Sequence, residues 1–463
     1  MSASSQSQRS DAIHALVRHV AATRFEDIPQ SAVAAAKVFI LDMLGVGLAG
    51  TLAPGVPQMR RVLRRWGGAP ECSVLALGDR LPFPSAAMLN SFLMHNQEFD
   101  CVHDQAVLHP LTTALPVALA AAQIKGGVSG RDLILAAVLG VDIACAIGRA
   151  SRAPMTHFRP GTAGAFAAVA AGGTILGFDE SALANAMGIV YSQLCGTLQP
   201  HHEGVMVNSM QTGFNARAAA TALDLAAEGV RGPSEVLEGR YGYFLLFEGE
   251  YQVDGVLAEL GRVWNIEGVS HKPYPSGRLT HGSVDAALRL RDRHKIAPRD
   301  VVECRVLVPP LVHRLVGRPL DPPVLTPQYA KLSIPYVLAT ALIRGTVFVT
   351  DFQEAALRDS DVRGLARRIH VERNPDINDE NAIVPVHLSI ALRDGTTHTT
   401  TILQALGHPD VPLSRKQYLG KFRRCWAAGG QGLPEANGQR VIDMVDRLED
   451  IASVEEVIRL LTP

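Results

Sequence analysis

HNQEFDCVHDQAVLHPLTTALPVA, residues 95–118, gathers three histidines (His95, His103, His109) and three acids (Glu98, Asp100, Asp104) within fifteen positions. It passes directly into an apolar run, TALPVALAAAQ. Prolines at 110 and 116 break or restart helices. The polar cluster therefore reads as a helix end plus a loop, set against a buried Ala/Leu helix. Imidazoles and carboxylates crowded beside an apolar wall are how proteins bring pKa values toward neutrality. A solvated loop is the plainer alternative for such a cluster. The apolar wall beside it makes it the candidate active site.

Outward from this stretch the chain reads as helix in both directions. Asp11 caps a first helix whose apolar positions are Ile13, Leu16, Val17 and Val20, and residues 1–10 before it are expected to be disordered. Helices are predicted at 31–50, 84–94, 114–124, 130–150, 161–176 and 180–194. A proline-rich turn, a basic helix (MRRVLRRW) and a strand-like CSVLAL occupy 52–84; the basic helix reads as a solvated face. The character changes near Val263. DVVECRVLV (300–308) reads as a strand and 368–371 as another. Segments 384–393 and 396–403 flank Asp394-Gly395, a two-residue hairpin signal. Helices are expected at 284–293 and 329–344, and two short amphipathic ones near the end. The predicted fold is mainly α: a large all-helical domain (1–264 and 405–463) with an inserted smaller α/β domain (265–404).

The chain has 463 residues and a net charge of −1, and no basic stretch concentrates phosphate-binding charge, which argues against nucleic acid as the main partner. Its six cysteines (72, 101, 145, 195, 304, 425) include no CxxC pair. Neither a disulfide framework nor a zinc site is expected, and a reducing cytoplasm fits. The polar start MSASSQSQRSDAIH lacks a signal-peptide core. The most apolar segment, 133–147, reads as too short for a bilayer and carries Asp142, so no membrane partner is expected.

A second constellation is SHKPYPSGRLTHGSVDAAL (270–288). Two prolines keep Lys272 to Arg278 extended, and His281 falls in the first turn of a helix, where backbone N–H groups attract anions. Arg278 can grip a carboxylate at two points, and Lys272 can serve as a charge or, if desolvated, as a base. A domain hinge with surface charges is the alternative. A weaker patch has Thr156, His157 and Arg159 ahead of Gly161-Thr162; a structural role there is equally open. His201 and His202 are adjacent and cannot both face one metal from a helix, so no metal is expected.

Five stretches in register resemble the MmgE/PrpD family, which includes 2-methylcitrate dehydratase, cis-aconitate decarboxylase and iminodisuccinate epimerase. They are FILDMLGVGLAG (39–50), EFDCVHDQAVLHPLTTALPVALA (98–120), GTAGAFAAVAAGGTILGFD (161–179), KPYPSGRLTHGSVDAAL (272–288) and QYAKLSIPYVLATALIRGTV (328–347). The resemblance implies a helical body with an inserted α/β lid, a homodimer, and no metal or organic cofactor. It implies a site between body and lid. Carried over, Asp100, His109, Lys272 and His281 form the catalytic set. Glu98, His103, His157, Arg159, Gln211, Tyr274 and Arg278 are the substrate contacts. Cys101 stands where the family has a second Asp, Val102 where Thr is frequent, and Thr212 where many members have a lysine.

The family's reactions share one need: forming or protonating a carbanion beside a carboxylate, which takes a placed base and stabilisation of the developing charge. An epimerase needs two acid/base groups on opposite faces of one carbon. Asp100/His109 on the body and Lys272/His281 at the lid suit that, with Lys272 the base on one face. Thr212 in place of lysine points the same way. The expectation is a cofactor-independent epimerase of a small dicarboxylate such as iminodisuccinate. Alternatives are a 2-methylcitrate-type dehydratase, a cis-aconitate-type decarboxylase and a non-catalytic ligand-binding dimer.

Overall fold

A computed structural model describes residues 10–320 and 325–463; the disorder expected of the first residues falls outside that span, Ser10 apart. The protein is mainly helical. Asp11 does cap the first helix, Ala12–Ala22, accepting the Ile13 N–H at 2.9 Å. Gly130–Ala150 opens with a reciprocal cap, Ser129 and Asp132 each accepting the other's backbone N–H. This helix corrects the expectation for 133–147: at 21 residues it has the length and apolarity to cross a bilayer, as does Gln30–Gly50. Both are instead core helices, with 89% and 78% of their most apolar windows buried inside the protein. Asp142 within it is satisfied internally, accepting the Asn265 N–H at 2.8 Å.

Arg159–Leu176 runs through the centre of the helical body and is buried on nearly every side. Small residues permit this. A Cβ on Gly172 would fall 2.4 Å from Leu223 Cδ1 and 2.9 Å from Val117 Cγ1. Leu111–Lys125 starts directly after Pro110 and continues through Pro116. The second proline therefore does not restart a helix; it withholds one N–H from the Thr112 carbonyl, and burial of the surrounding helix holds the geometry. The C-terminal helix Arg415–Gly429 packs back on Gln30–Gly50, where a Cβ on Gly429 would lie 1.8 Å from the Leu48 carbonyl oxygen. Lys421 reinforces this contact through Asp42 at 2.8 Å and the Phe99 carbonyl at 2.7 Å.

Among the described residues two large apolar cores result, with a small third cluster of Val46, Ala49, Phe99, Val349 and Cys425. The larger draws on residues from Ala12 to Val269 and again from Leu419 to Leu461; the smaller draws on residues from Tyr274 to Ile402. The smaller contains a four-stranded sheet ordered Ile369–Arg373, Val301–Val308, Val386–Leu392, Thr397–Ile402. The first pair is parallel and the others antiparallel. Burial alternates along Val386–Leu392, as one covered face requires, with the helices His281–His294 and Ile334–Arg344 in the same core. The hairpin differs from the two-residue turn expected: Leu392 donates to the Thr396 carbonyl at 2.8 Å, leaving three residues in the loop with Gly395 at φ +86°. The predicted helix 329–344 breaks into Pro327–Lys331 and Ile334–Arg344, the second capped by Ser333. A short antiparallel pair, Val102–His103 with Val269–Ser270, fastens the polar loop of the body to the start of the Lys272 loop.

Candidate active site

The helix Phe83–His95 ends where the polar stretch begins, and Glu98 takes a left-handed φ of +52° that turns the chain sharply. The turn brings His95, Glu98 and Asp100 together. His109 returns to them just before Leu111–Lys125. Asp100 Oδ2 lies 3.1 Å from His95 Nδ1 and 2.5 Å from His109 Nδ1. From the other side Lys272 Nζ, fully buried, lies 3.0 Å from Glu98 Oε2 and 3.6 Å from Asp100 Oδ1. Two separately predicted clusters thus form one buried network of five ionisable groups.

The network sets the charges. Burial works against the Lys272 cation, but Asp100 and Glu98 outweigh it and raise its pKa above the ordinary value. Lys272 is an ammonium, not the free base expected. Burial would raise Glu98, yet Lys272 holds it down at about 2. Asp100 is likewise held well below the carboxylate range by His109, Lys272 and His95 against the effect of burial. The two imidazoles diverge. In His95 the attraction of Asp100 and Glu98 outweighs burial and raises the pKa; in His109 burial wins, aided by the Lys272 charge, and lowers it. With Nδ1–H donated to Asp100, neutral His109 keeps a lone pair on Nε2, while charged His95 keeps an N–H. His95 Nε2 has no hydrogen-bond partner among the described residues.

Three groups of this network, His95, Glu98 and His109, reach a cavity between the two cores, lined also by Phe158, His201 and Asn208 from the body. Gly277, Arg278, Leu279, Leu315, Val316, Leu332 and Ile383 face them. Three long helices begin beside lining residues: Arg159–Leu176 at Phe158 and Pro160, Val207–Ala227 at Asn208, and His281–His294 just after Leu279. Their positive ends favour an anion.

Other expected contacts lie elsewhere or are already engaged. Arg278 lines the cavity, but Asp104 grips its guanidinium at two points, with Nε to Oδ1 and Nη2 to Oδ2 both 3.0 Å. His157 and Arg159 join a separate buried group: Arg159 pairs with Glu248 at 2.9 and 2.7 Å, and His157 meets the same carboxylate at 3.4 Å. Gln211 braces a loop, accepting the Thr197 N–H at 2.7 Å. Tyr274 donates to Asp285 at 3.1 Å. His103 accepts the Ala106 N–H, and burial lowers its pKa to about 4. His281 is buried with Nε2 3.2 Å from the Ser276 carbonyl; burial, then Arg278 and Lys272, keep it neutral. Thr212 turns its hydroxyl onto the Ser209 carbonyl of its own helix at 3.1 Å.

Sequence reasoning passed over three residues. His201 was weighed only as a metal ligand, Asn208 was hidden in the stretch that opens its helix, and Lys331 lay in a recognised segment without being singled out. Lys331 is buried, donating to the Asn96 carbonyl at 3.0 Å and Gln97 Oε1 at 2.6 Å, and burial lowers its pKa to about 7. His95, Asp100 and His109 have ligand atoms within 4.8 Å of one another, close enough for a metal. A cation there would compete with the Lys272 ammonium, and one Asp100 oxygen already serves both imidazoles.

Comparison with known proteins bears on the chemistry. The chain is 27% identical over 459 residues to a cis-aconitate decarboxylase of Aspergillus terreus, covering 94% of this chain and 93% of that protein. It is 28% identical over 440 residues to the human enzyme of that name (92% and 89%), and 27% over 441 residues to the mouse one (92% and 88%). These relatives support the lyase alternative over the epimerase expected from sequence. The MmgE/PrpD N-terminal domain matches residues 14–255 and the C-terminal domain residues 274–450. With both halves matched in order and the five resembling stretches inside or beside them, the chain belongs to the MmgE/PrpD family.

Proposed function

We propose that this protein is a cofactor-independent lyase that decarboxylates a small polycarboxylate of the cis-aconitate type. The observation that carries the reading is the single cluster of His95, Asp100, His109 and Lys272, of which His95 and His109 line the cavity. An epimerase calls for bases on opposite faces of one carbon. Here Lys272 is 3.6 Å from Asp100 within the same cluster and is protonated. A proton donor and an electrostatic sink in one cluster suit decarboxylation better. Loss of CO2 from a carboxylate that is allylic to the double bond leaves an electron pair delocalised over the allyl unit and its neighbouring carboxylate. His95 Nε2–H is positioned to supply the proton that the carbanion takes up, with Asp100 as its orienting partner. Lys272 offsets Glu98 and Asp100, so the polyanion does not meet bare carboxylates. The three helix N-termini add favourable potential.

The smaller unit acts as a lid in this proposal, supported by its contribution of Gly277, Arg278 and Leu279 to a cavity shared with the body. The working form in this proposal is a homodimer, as the family resemblance implies, in a reducing cytoplasm, as the scattered cysteines favour. Purified protein with cis-aconitate in D2O, followed by proton NMR, tests the activity. Itaconate with one deuterium and released CO2 are expected. Interconversion of iminodisuccinate stereoisomers without either product would restore the epimerase reading.

A further inference from the structure

Asn208 is 1% exposed and lines the cavity, yet neither Oδ1 nor Nδ2 has a hydrogen-bond partner among the described residues. Buried carboxamides are ordinarily satisfied, and leaving both ends unpaired is costly. Its backbone is fully engaged: the N–H donates to the Val205 carbonyl at 3.1 Å, and its own carbonyl accepts from Gln211 Nε2 at 3.4 Å. Only the side chain is left over. It sits in the first turn of a 21-residue helix, where the backbone also favours an anion. Beside it on the same wall is His201, whose Nδ1 accepts from Arg318 Nη2 at 3.1 Å. That bond places the remaining ring proton on Nε2, and burial with the nearby Arg318 charge lowers its pKa to about 4, so the ring is neutral. Among the cavity's lining residues these two are thus neutral donors.

We propose that Asn208 is a specificity-determining residue, its carboxamide N–H holding a substrate carboxylate other than the one that leaves, with His201 beside it. The inference rests on the polycarboxylate reading above. A neutral amide grips a carboxylate without adding a fixed cation that would hold on to the product. It rewards a substrate that carries the extra carboxylate and leaves buried polar atoms unpaired when that group is missing.

The test is calorimetric binding of tricarballylate and of glutarate, which lacks the central carboxylate, to the full-length wild type, Asn208→Leu and Asn208→Asp. Asn208→Leu is expected to weaken tricarballylate about 10- to 100-fold and to reduce its preference over glutarate. Asn208→Asp keeps the shape and adds only a titratable charge, so its effect is read as a pH dependence in protein whose fold is checked by circular dichroism at both pH values. It should bind tricarballylate worse at pH 8 than at pH 5, by a wider margin than the wild type. Unchanged affinity and unchanged preference in both variants would overturn the assignment, as would failure of the wild type to bind tricarballylate. Wild-type binding of tricarballylate with no CO2 from cis-aconitate would overturn the decarboxylase reading alone, and the variants would still decide Asn208.

Discussion

Asp100 serves two imidazoles with one oxygen, and their opposite pKa shifts give the site its chemistry. The proposed reaction runs with His95 charged and His109 neutral. Activity should therefore rise as pH climbs through the His109 value, below the ordinary 6.5, and fall as pH passes the His95 value, above it. A kcat–pH profile checks both limbs. Asp100→Asn should lower kcat about 10³- to 10⁴-fold by losing both ring orientation and the charge that raises His95, and its alkaline limb should move to lower pH. Glu98→Gln leaves the buried Lys272 ammonium short of a counter-charge. By the cost of breaking buried pairs, it should destabilise the protein by about 3–5 kcal/mol at pH 7 in urea unfolding. Because Glu98 is depressed to about 2 from 4.5, its share of stability is complete above the unfolded value and disappears as pH falls through the folded one.

At the scale of elements, the site depends on where helices and strands stop. Phe83–His95 ends at the acids, Pro327–Lys331 ends at a lysine, and the pair Val102–His103 with Val269–Ser270 joins the two polar loops. Lys331 ties the short helix to the Asn96–Gln97 turn while paying no ion pair in return. Its folded pKa of about 7 lies below the ordinary 10.5, so between those values the unfolded chain holds the extra proton and stability rises with pH. Lys331→Met should flatten that rise by about 1.4 kcal/mol per pH unit in unfolding experiments. Packing at the far end is equally exacting. Gly429→Ala would press a methyl onto the Leu48 carbonyl, and a loss of about 1–3 kcal/mol, read as a lower Tm, is expected.

For the whole molecule, the junction of the two cores holds the candidate site and would be the hinge of the proposed lid. Arg278 and Asp104 make a buried ion pair across it, as do Lys272 and Glu98. Arg278→Gln should loosen this junction. Faster amide hydrogen exchange in 271–279 and 102–109, with the two cores otherwise protected, is the expected result. Unchanged exchange there would mean that Asp104 does not fasten the lid.

Much of this was legible in the chain. Long Ala/Leu/Gly periods dictated helices, caps such as Asp11 marked their starts, and the change in pattern near Val263 announced a sheet. The crowding of His95, Glu98, Asp100 and His109 in one loop marked the chemistry, because those residue types have few other reasons to gather against an apolar wall. Local pattern could not reveal long-range pairing. Arg278, His157 and Arg159 read as substrate contacts, yet Asp104 and Glu248 claim Arg278 and Arg159, and the second of these also meets His157. Lys272 looked like a base until two carboxylates from residues more than 170 positions away were brought to it. The sequence by itself determined helices, strands and the residue types of the site, since these follow from periodicity and side-chain chemistry. Only the tertiary structure decided which charges neutralise one another, because a pKa depends on burial and on neighbours that the fold alone supplies.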